Sequence, residues 1–116
     1  MSDDARHVDM EEAMTDYTAL FKEAARKVHP SWAITNYQAM ETRNGMAFSC
    51  QLTANGNVVA DVEQGGNGGA TLLYWMKEAR TDGTEQRFLA EADALFPGRF
   101  EVDGDLIEAL LTKAGL

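Results

Sequence analysis

Cys50 is the only cysteine in the chain, so no intramolecular disulfide can form and a thiolate-rich zinc or iron–sulfur site would lack ligands. A reducing compartment fits that composition. No apolar run approaches the roughly 20 residues needed to cross a bilayer, and the opening MSDDARHVDMEE has neither the basic nor the apolar region of a secretory signal. The expected location is the cytoplasm, with no membrane partner. Basic residues are also scarce, with ten Lys and Arg against nineteen Asp and Glu and a formal charge of -9. Such a field repels phosphate backbones and anionic surfaces, which disfavours direct contact with nucleic acid.

What is present suits one folded unit. The 116 residues are 45% hydrophobic and 25% charged, ordinary values for a globular chain and too little apolar material for two independent cores. A single domain over 1–116 is expected, with 1–8 frayed at the N-terminus. From Met10, apolar residues recur at Ala13, Met14, Tyr17, Leu20, Phe21, Ala24, Ala25 and Val28, the three-and-four spacing of one helical stripe. Asp9 and Glu12 are spaced as a reciprocal cap at its start, and Pro30 stops it.

The period then changes to two. Met46, Phe48, Cys50 and Leu52 alternate with Ala47, Ser49, Gln51 and Thr53, the pattern of a half-buried strand. Asn55-Gly56 tolerates the two positive φ angles of a type I′ turn, so Val58, Ala60 and Val62 should return antiparallel on the same core face. Trp32 to Met40 reads as a strand before this hairpin and Thr71 to Met76 as one after it. Asp82 and Glu85 are spaced as a second capping box for a helix carrying Phe88, Leu89, Ala92, Leu95 and Phe96, which Pro97-Gly98 ends. A last helix carries Leu106, Ile107, Leu110, Leu111 and Ala114, with Asp103 as its N-cap and Gly115 at its end. The expected fold is α+β in the order α-β-β-β-β-α-α, a four-stranded antiparallel meander with one helix before it and two after.

The most unusual segment is Gln64-Gly65-Gly66-Asn67-Gly68-Gly69, because clustered glycines cost stability unless the backbone needs positive φ, close approach or mobility. Three readings stand: an anion-binding nest of N–H groups, a bare backbone surface for a partner, or a hairpin turn between the third and fourth strands. No Gly-Lys-Ser/Thr follows, which weakens a phosphate-loop reading. In the strand after the turn, Leu73 and Trp75 share one face while Leu72, Tyr74 and Met76 share the other. Either helices cover both sides or Leu73 and Trp75 line an exposed patch, and buried packing is the default.

Asn55-Gly56-Asn57-Val58-Val59-Ala60-Asp61-Val62, followed by Gly66-Asn67-Gly68-Gly69, resembles a strand-turn-strand segment in small proteins of bacteriophages, prophages and their bacterial hosts. The resemblance implies a phage or mobile-element origin, hence the host cytoplasm, and brings no activity with it.

Catalytic chemistry has little footing. His7 sits in the terminal segment and His29 at a helix end beside Pro30, where it complements the dipole; Cys50 lies on an apolar strand face without a base beside it. Asp103-Gly104-Asp105 with Glu108 lacks the glycine and glutamate spacing of a calcium loop. No enzyme, cofactor or metal is expected. The reading that remains is a protein-binding protein whose partner is a protein or ribonucleoprotein with a basic surface, in its sharpest form an inhibitor of a host defence complex such as an anti-CRISPR. Candidate partner-binding residues are Gly65, Gly66, Asn67, Gly68, Gly69, Asp61, Glu63, Leu73, Trp75, Glu11, Glu12 and Asp16. A small-ligand or nucleotide module using the Gly65–Gly69 turn is the alternative.

Overall fold

A computed structural model describes residues 18–66 and 69–116. The expected cap at Asp9 and Glu12, the first turns of the N-terminal helix, and Glu11, Asp16, Asn67 and Gly68 lie outside the described residues. Helix α1 is described over 18–27 and is followed by strands β1 (Trp32–Thr42), β2 (Gly45–Ala54), β3 (Asn57–Gln64) and β4 (Leu72–Trp75). Three helices then follow, α2 (Lys77–Thr81), α3 (Thr84–Leu95) and α4 (Val102–Lys113). The strands form one antiparallel sheet in the order β1-β2-β3-β4. The α+β meander expected from the pattern is therefore the fold, with α2 as an additional single-turn element whose one buried residue, Ala79, leaves no periodic trace in sequence.

In α1 the apolar stripe packs inward as its spacing requires, with Ala24, Ala25 and Val28 buried and Leu20 and Phe21 partly so. Asn55 (φ 53) and Gly56 (φ 84) make the two-residue turn between β2 and β3, closed by the pair Ala54 and Asn57. Both positive angles fit a type I′ hairpin, whose twist matches that of the strands.

Two bulges decide which side chains face the helices. In β1 the register slips between Thr35 and Gln38, with Asn36 at φ 52. The extra residue flips the alternation, so Trp32 and Ile34 before it and Tyr37 after it share the inner face. In β3, Leu52 pairs Ala60 while Thr53 pairs Val58, which leaves Val59 as the inserted residue. Val58, expected in the core, is consequently 38% exposed and Val59 takes its place at 9%. Met46, also expected inside, is 57% exposed because the β1–β2 hairpin extends past the helices. Cys50, Leu52, Ala60 and Val62 are buried as the period-two pattern requires, and Phe48 is partly so.

The described helices cover one face of the sheet, and no other described element covers the opposite one. Phe88 and Phe96 of the α3 region and Leu106 and Ile107 of α4 are fully buried with Leu52 and Val62, and each such side chain contributes roughly 1.5–3 kcal/mol of burial free energy. Two caps differ from the sequence reading. Gly83 (φ 89), not Asp82, is the N-cap of α3, and Asp82 instead accepts the Thr84 N–H from one residue further out, at 2.9 Å. The Thr84 side chain first, and then this backbone bond, hold the Asp82 carboxyl below its usual range. At α4 the N-cap is Glu101 in the left-handed region, and Asp103 sits inside the first turn, accepting the Gly104 N–H at 2.9 Å. At the far end Gly115 (φ 79) stands as expected, and the Leu116 N–H reaches the Leu111 carbonyl at 2.9 Å, the long bond of a Schellman closure.

The link from α1 into β1 is tied to α3 by one carboxylate. Glu91 accepts the backbone N–H of His29 at 2.6 Å and the indole N–H of Trp32 at 3.0 Å, while Ser31 closes on His29 Nδ1. This arrangement engages His29 in a turn. Glu91→Ala strips two donors of their acceptor, one of them on a tryptophan that is 4% exposed. The expected loss is about 1–3 kcal/mol of unfolding free energy in a denaturant titration, and a Glu91→Gln variant should recover part of it.

Candidate functional site: the uncovered face of the sheet

Residues that point away from the helices form a lattice that the strand register sets out row by row. One row crosses the sheet as Thr35, Gln51, Asp61 and Tyr74, and the next as Gln38, Ser49, Glu63 and Leu72. Met40 and Ala47 pair beyond them. Neighbouring strands stand about 4.8 Å apart, so each row places four side chains across the width of the sheet. No lysine or arginine occurs in these rows.

The first row is hydrogen-bonded into a directional ladder. Asn36 Nδ2 donates to Gln51 Oε1 at 2.6 Å, and Gln51 Nε2 donates to Asp61 Oδ1 at 3.2 Å. The bulge at Asn36 brings that amide opposite Gln51, so the backbone irregularity and the ladder are one feature. Donors run toward Asp61, which fixes the orientation of the Gln51 amide. These side chains, with Gln38, Glu63 and Tyr74, line a shallow groove of about 690 Å³. A recess of about 460 Å³ adjoins it, lined by Met40, Ala47, Leu72 and the bare backbone of Gly65. Met40 is 69% exposed, and Leu72 and Tyr74 are 50% exposed each, so this half of the face is apolar and open.

The candidate residues fall into three groups. Asp61, Glu63 and Gly65 come together on the uncovered face. Leu73 and Trp75 do not join them: they pack against the core, Trp75 with its ring 5.4 Å from that of Phe88. The exposed patch of β4 is made by Leu72 and Tyr74 instead, a correction that follows from the pairing of Trp75 with Ala60 and of Leu73 with Val62, both inward residues of β3. Gly66 is buried and serves the fold, while Gly69 lies at the other end of the turn. Asn36, Gln51, Tyr74, Met40 and Leu72 were not singled out by sequence; the alternation held the signal for Leu72 and Tyr74, but two apolar faces on one strand gave no way to choose.

Gln64 closes the glycine-rich turn across its base. Its Nε2 donates to the Gly69 carbonyl at 3.0 Å and to Thr71 Oγ1 at 3.1 Å, and its Oε1 accepts the Gly66 N–H at 3.2 Å. An N–H that an anion-binding nest would use is thereby already taken. Comparison with protein-family models, with curated proteins and with solved structures finds no match.

Elsewhere the reactive groups are subdued. Burial pushes the Cys50 thiol up to about 11, with the Glu108 carboxylate adding to the shift, so the thiolate needed of a nucleophile is scarce at neutral pH. Asp105 is held bidentately by Arg99 at 2.7 and 3.2 Å. Among the described residues no group of three His, Cys, Asp or Glu side chains is placed to share a metal ion, and no helix is long and apolar enough to cross a membrane.

Glu108 is itself raised, first by burial and then by Asp105. The folded state therefore holds this proton more tightly than the unfolded chain does. The stability so contributed is complete below the unfolded pKa and is lost as pH rises through the folded one. Glu108→Gln, which cannot ionise, should accordingly gain melting temperature over the parent at neutral pH. The two curves should converge as pH falls below the ordinary glutamate range.

Proposed function

We propose that this chain is a non-enzymatic protein-binding domain that docks a partner with a basic surface onto the uncovered face of its sheet. One observation carries the reading: two carboxylates, Asp61 and Glu63, stand beside an open apolar strip of Met40, Leu72 and Tyr74, with no base in the rows between them. Apolar surface supplies association free energy, and a rim of one charge steers and orients a complementary partner. The formal charge of -9 extends the same preference to long range. Together with the phage-like segment at 55–69, the sharpest form of the proposal is an inhibitor of a host defence complex, occluding a channel lined with lysine and arginine.

Capture from bacterial lysate followed by affinity measurement on the purified complex tests this. Binding should weaken as salt rises, and Asp61→Lys with Glu63→Lys should weaken it at least tenfold. Met40→Ser with Leu72→Ser should weaken it at any salt, and bound nucleic acid should compete. A complex whose affinity ignores all four substitutions sinks the proposal, as does failure to form one at low salt.

A further inference from the structure

On the opposite side of the sheet, where the β1–β2 hairpin outruns the helices, a second hollow of about 400 Å³ opens between that hairpin and α4. Its size falls at the lower end of small-molecule sites, which span roughly 300–1,000 Å³. Its walls are mixed: Tyr37 and Phe48, with ring centroids 5.7 Å apart, stand with Met46, Leu111 and Leu116, and polar groups of Asn44, Gln64 and the glycine backbone complete the lining. Glu108 of α4 is the one charged side chain among the described residues that line it.

The state of that carboxylate matters. Glu108 is half-buried, and its side chain has no hydrogen-bond or ion-pair partner among the described residues. Arg99, just before α4, is engaged by Asp105. The polar amide of Gln64 on the far wall is committed to the glycine-rich turn. A carboxylate sharing a hollow with two aromatic rings is matched by a positive group on an apolar body, through ion pairing and contact of the cation with a ring face.

We propose that this hollow is a binding site for a small organic cation, an ammonium or guanidinium group carried on an aromatic-sized apolar body. The positive group meets Glu108, and the body lies along Tyr37 and Phe48. An anionic nucleotide is the opposite of what the hollow selects. The hollow borders the docking recess at Phe48 and Gln64, but neither Asp61 nor Glu63 lines it.

Three matched probes test it on the full chain by amide chemical-shift titration: 2-phenylethylammonium, the neutral 2-phenylethanol, and the anionic phenylacetate. Saturable shifts from the ammonium should cluster at Tyr37, Met46, Phe48, Glu108 and Leu111, with at least tenfold weaker binding of the alcohol and none of the acid. Glu108→Gln, checked by its melting curve to be folded, should bring ammonium and alcohol to the same affinity. The proposal is overturned if the ammonium gives no saturable shifts, if they fall elsewhere, or if Glu108→Gln keeps the preference. Asp61→Lys with Glu63→Lys should leave this binding intact, which separates its failure from that of the docking face.

Discussion

Phe88→Ala should remove about 3–5 kcal/mol of unfolding free energy, the range for deleting a buried phenylalanine from a core. Phe88 is fully buried on α3. Its ring meets Trp32 edge-on at 5.0 Å and Trp75 at 5.4 Å. Trp32 opens β1 and Trp75 closes β4, the two edge strands. One side chain therefore ties both edges of the sheet to the same helix. Truncation leaves a void between two rigid indoles that cannot collapse onto it, and forfeits two aromatic contacts worth about 0.5–1.5 kcal/mol each beyond area burial. Domains of this size have only about 5–15 kcal/mol in total, so the variant should melt on the order of 10–20 °C lower. Asp93→Ala, on the exposed side of the same helix, should change stability by less than about 0.5 kcal/mol. A loss at Phe88 no larger than at Asp93 would show that the aromatic stack does not organise the core.

The sheet was legible because its signals are local. Asn55-Gly56 fixes a two-residue turn wherever it stands between alternating segments, and Cys50, Leu52, Ala60 and Val62 then fall inward together. The two bulges were not legible, and each has its own cause. At Val58-Val59-Ala60 three small or β-branched residues in a row satisfy either parity, so nothing local marks Val59 as the insertion. At Asn36 the left-handed backbone is one that asparagine tolerates but does not demand. The same ambiguity governed the site: in Leu72-Leu73-Tyr74-Trp75 both faces are apolar, and the inward one is chosen by pairing with Ala60 and Val62 and by where Phe88 sits. Charge was easier to place. Asp61 and Glu63 alternate with buried residues on β3, so once Ala60 and Val62 are inside, the carboxylates must be outside.

These facts also change what the glycine-rich turn is for. The sequence reading treated its glycines as one block, a turn, a nest or a contact surface. The structure divides the described ones: Gly65 borders the apolar recess, and Gly66 is pressed against the first hairpin. Mobility is not the reason for glycine at Gly66, because the Gln64 amide and a close backbone contact both fix its position.

Gly66→Ala should cost about 2–5 kcal/mol, from left-handed strain of roughly 1–2 kcal/mol plus overpacking of about 1–3 kcal/mol. Gly66 has φ +76, and a Cβ built on it would stand 2.8 Å from the Ala47 nitrogen and 2.9 Å from the Met46 carbonyl carbon. Both are backbone atoms of β2 and cannot swing aside. The contact is reciprocal, since a Cβ on Gly45 would lie 2.9 Å from the Gly66 oxygen. Gly56 supplies the comparison, with φ +84 and open space around it. There alanine should cost only the strain, roughly 1–2 kcal/mol. In paired denaturant titrations Gly66→Ala should therefore fall well below Gly56→Ala. It should also weaken docking to the uncovered face beyond what its stability loss explains, because displacing Gly66 moves Gly65 out of the recess bordered by Met40 and Leu72. Equal losses at the two glycines would mean that the turn can lift off β2 without strain, and that its place in the fold is a hairpin connection alone.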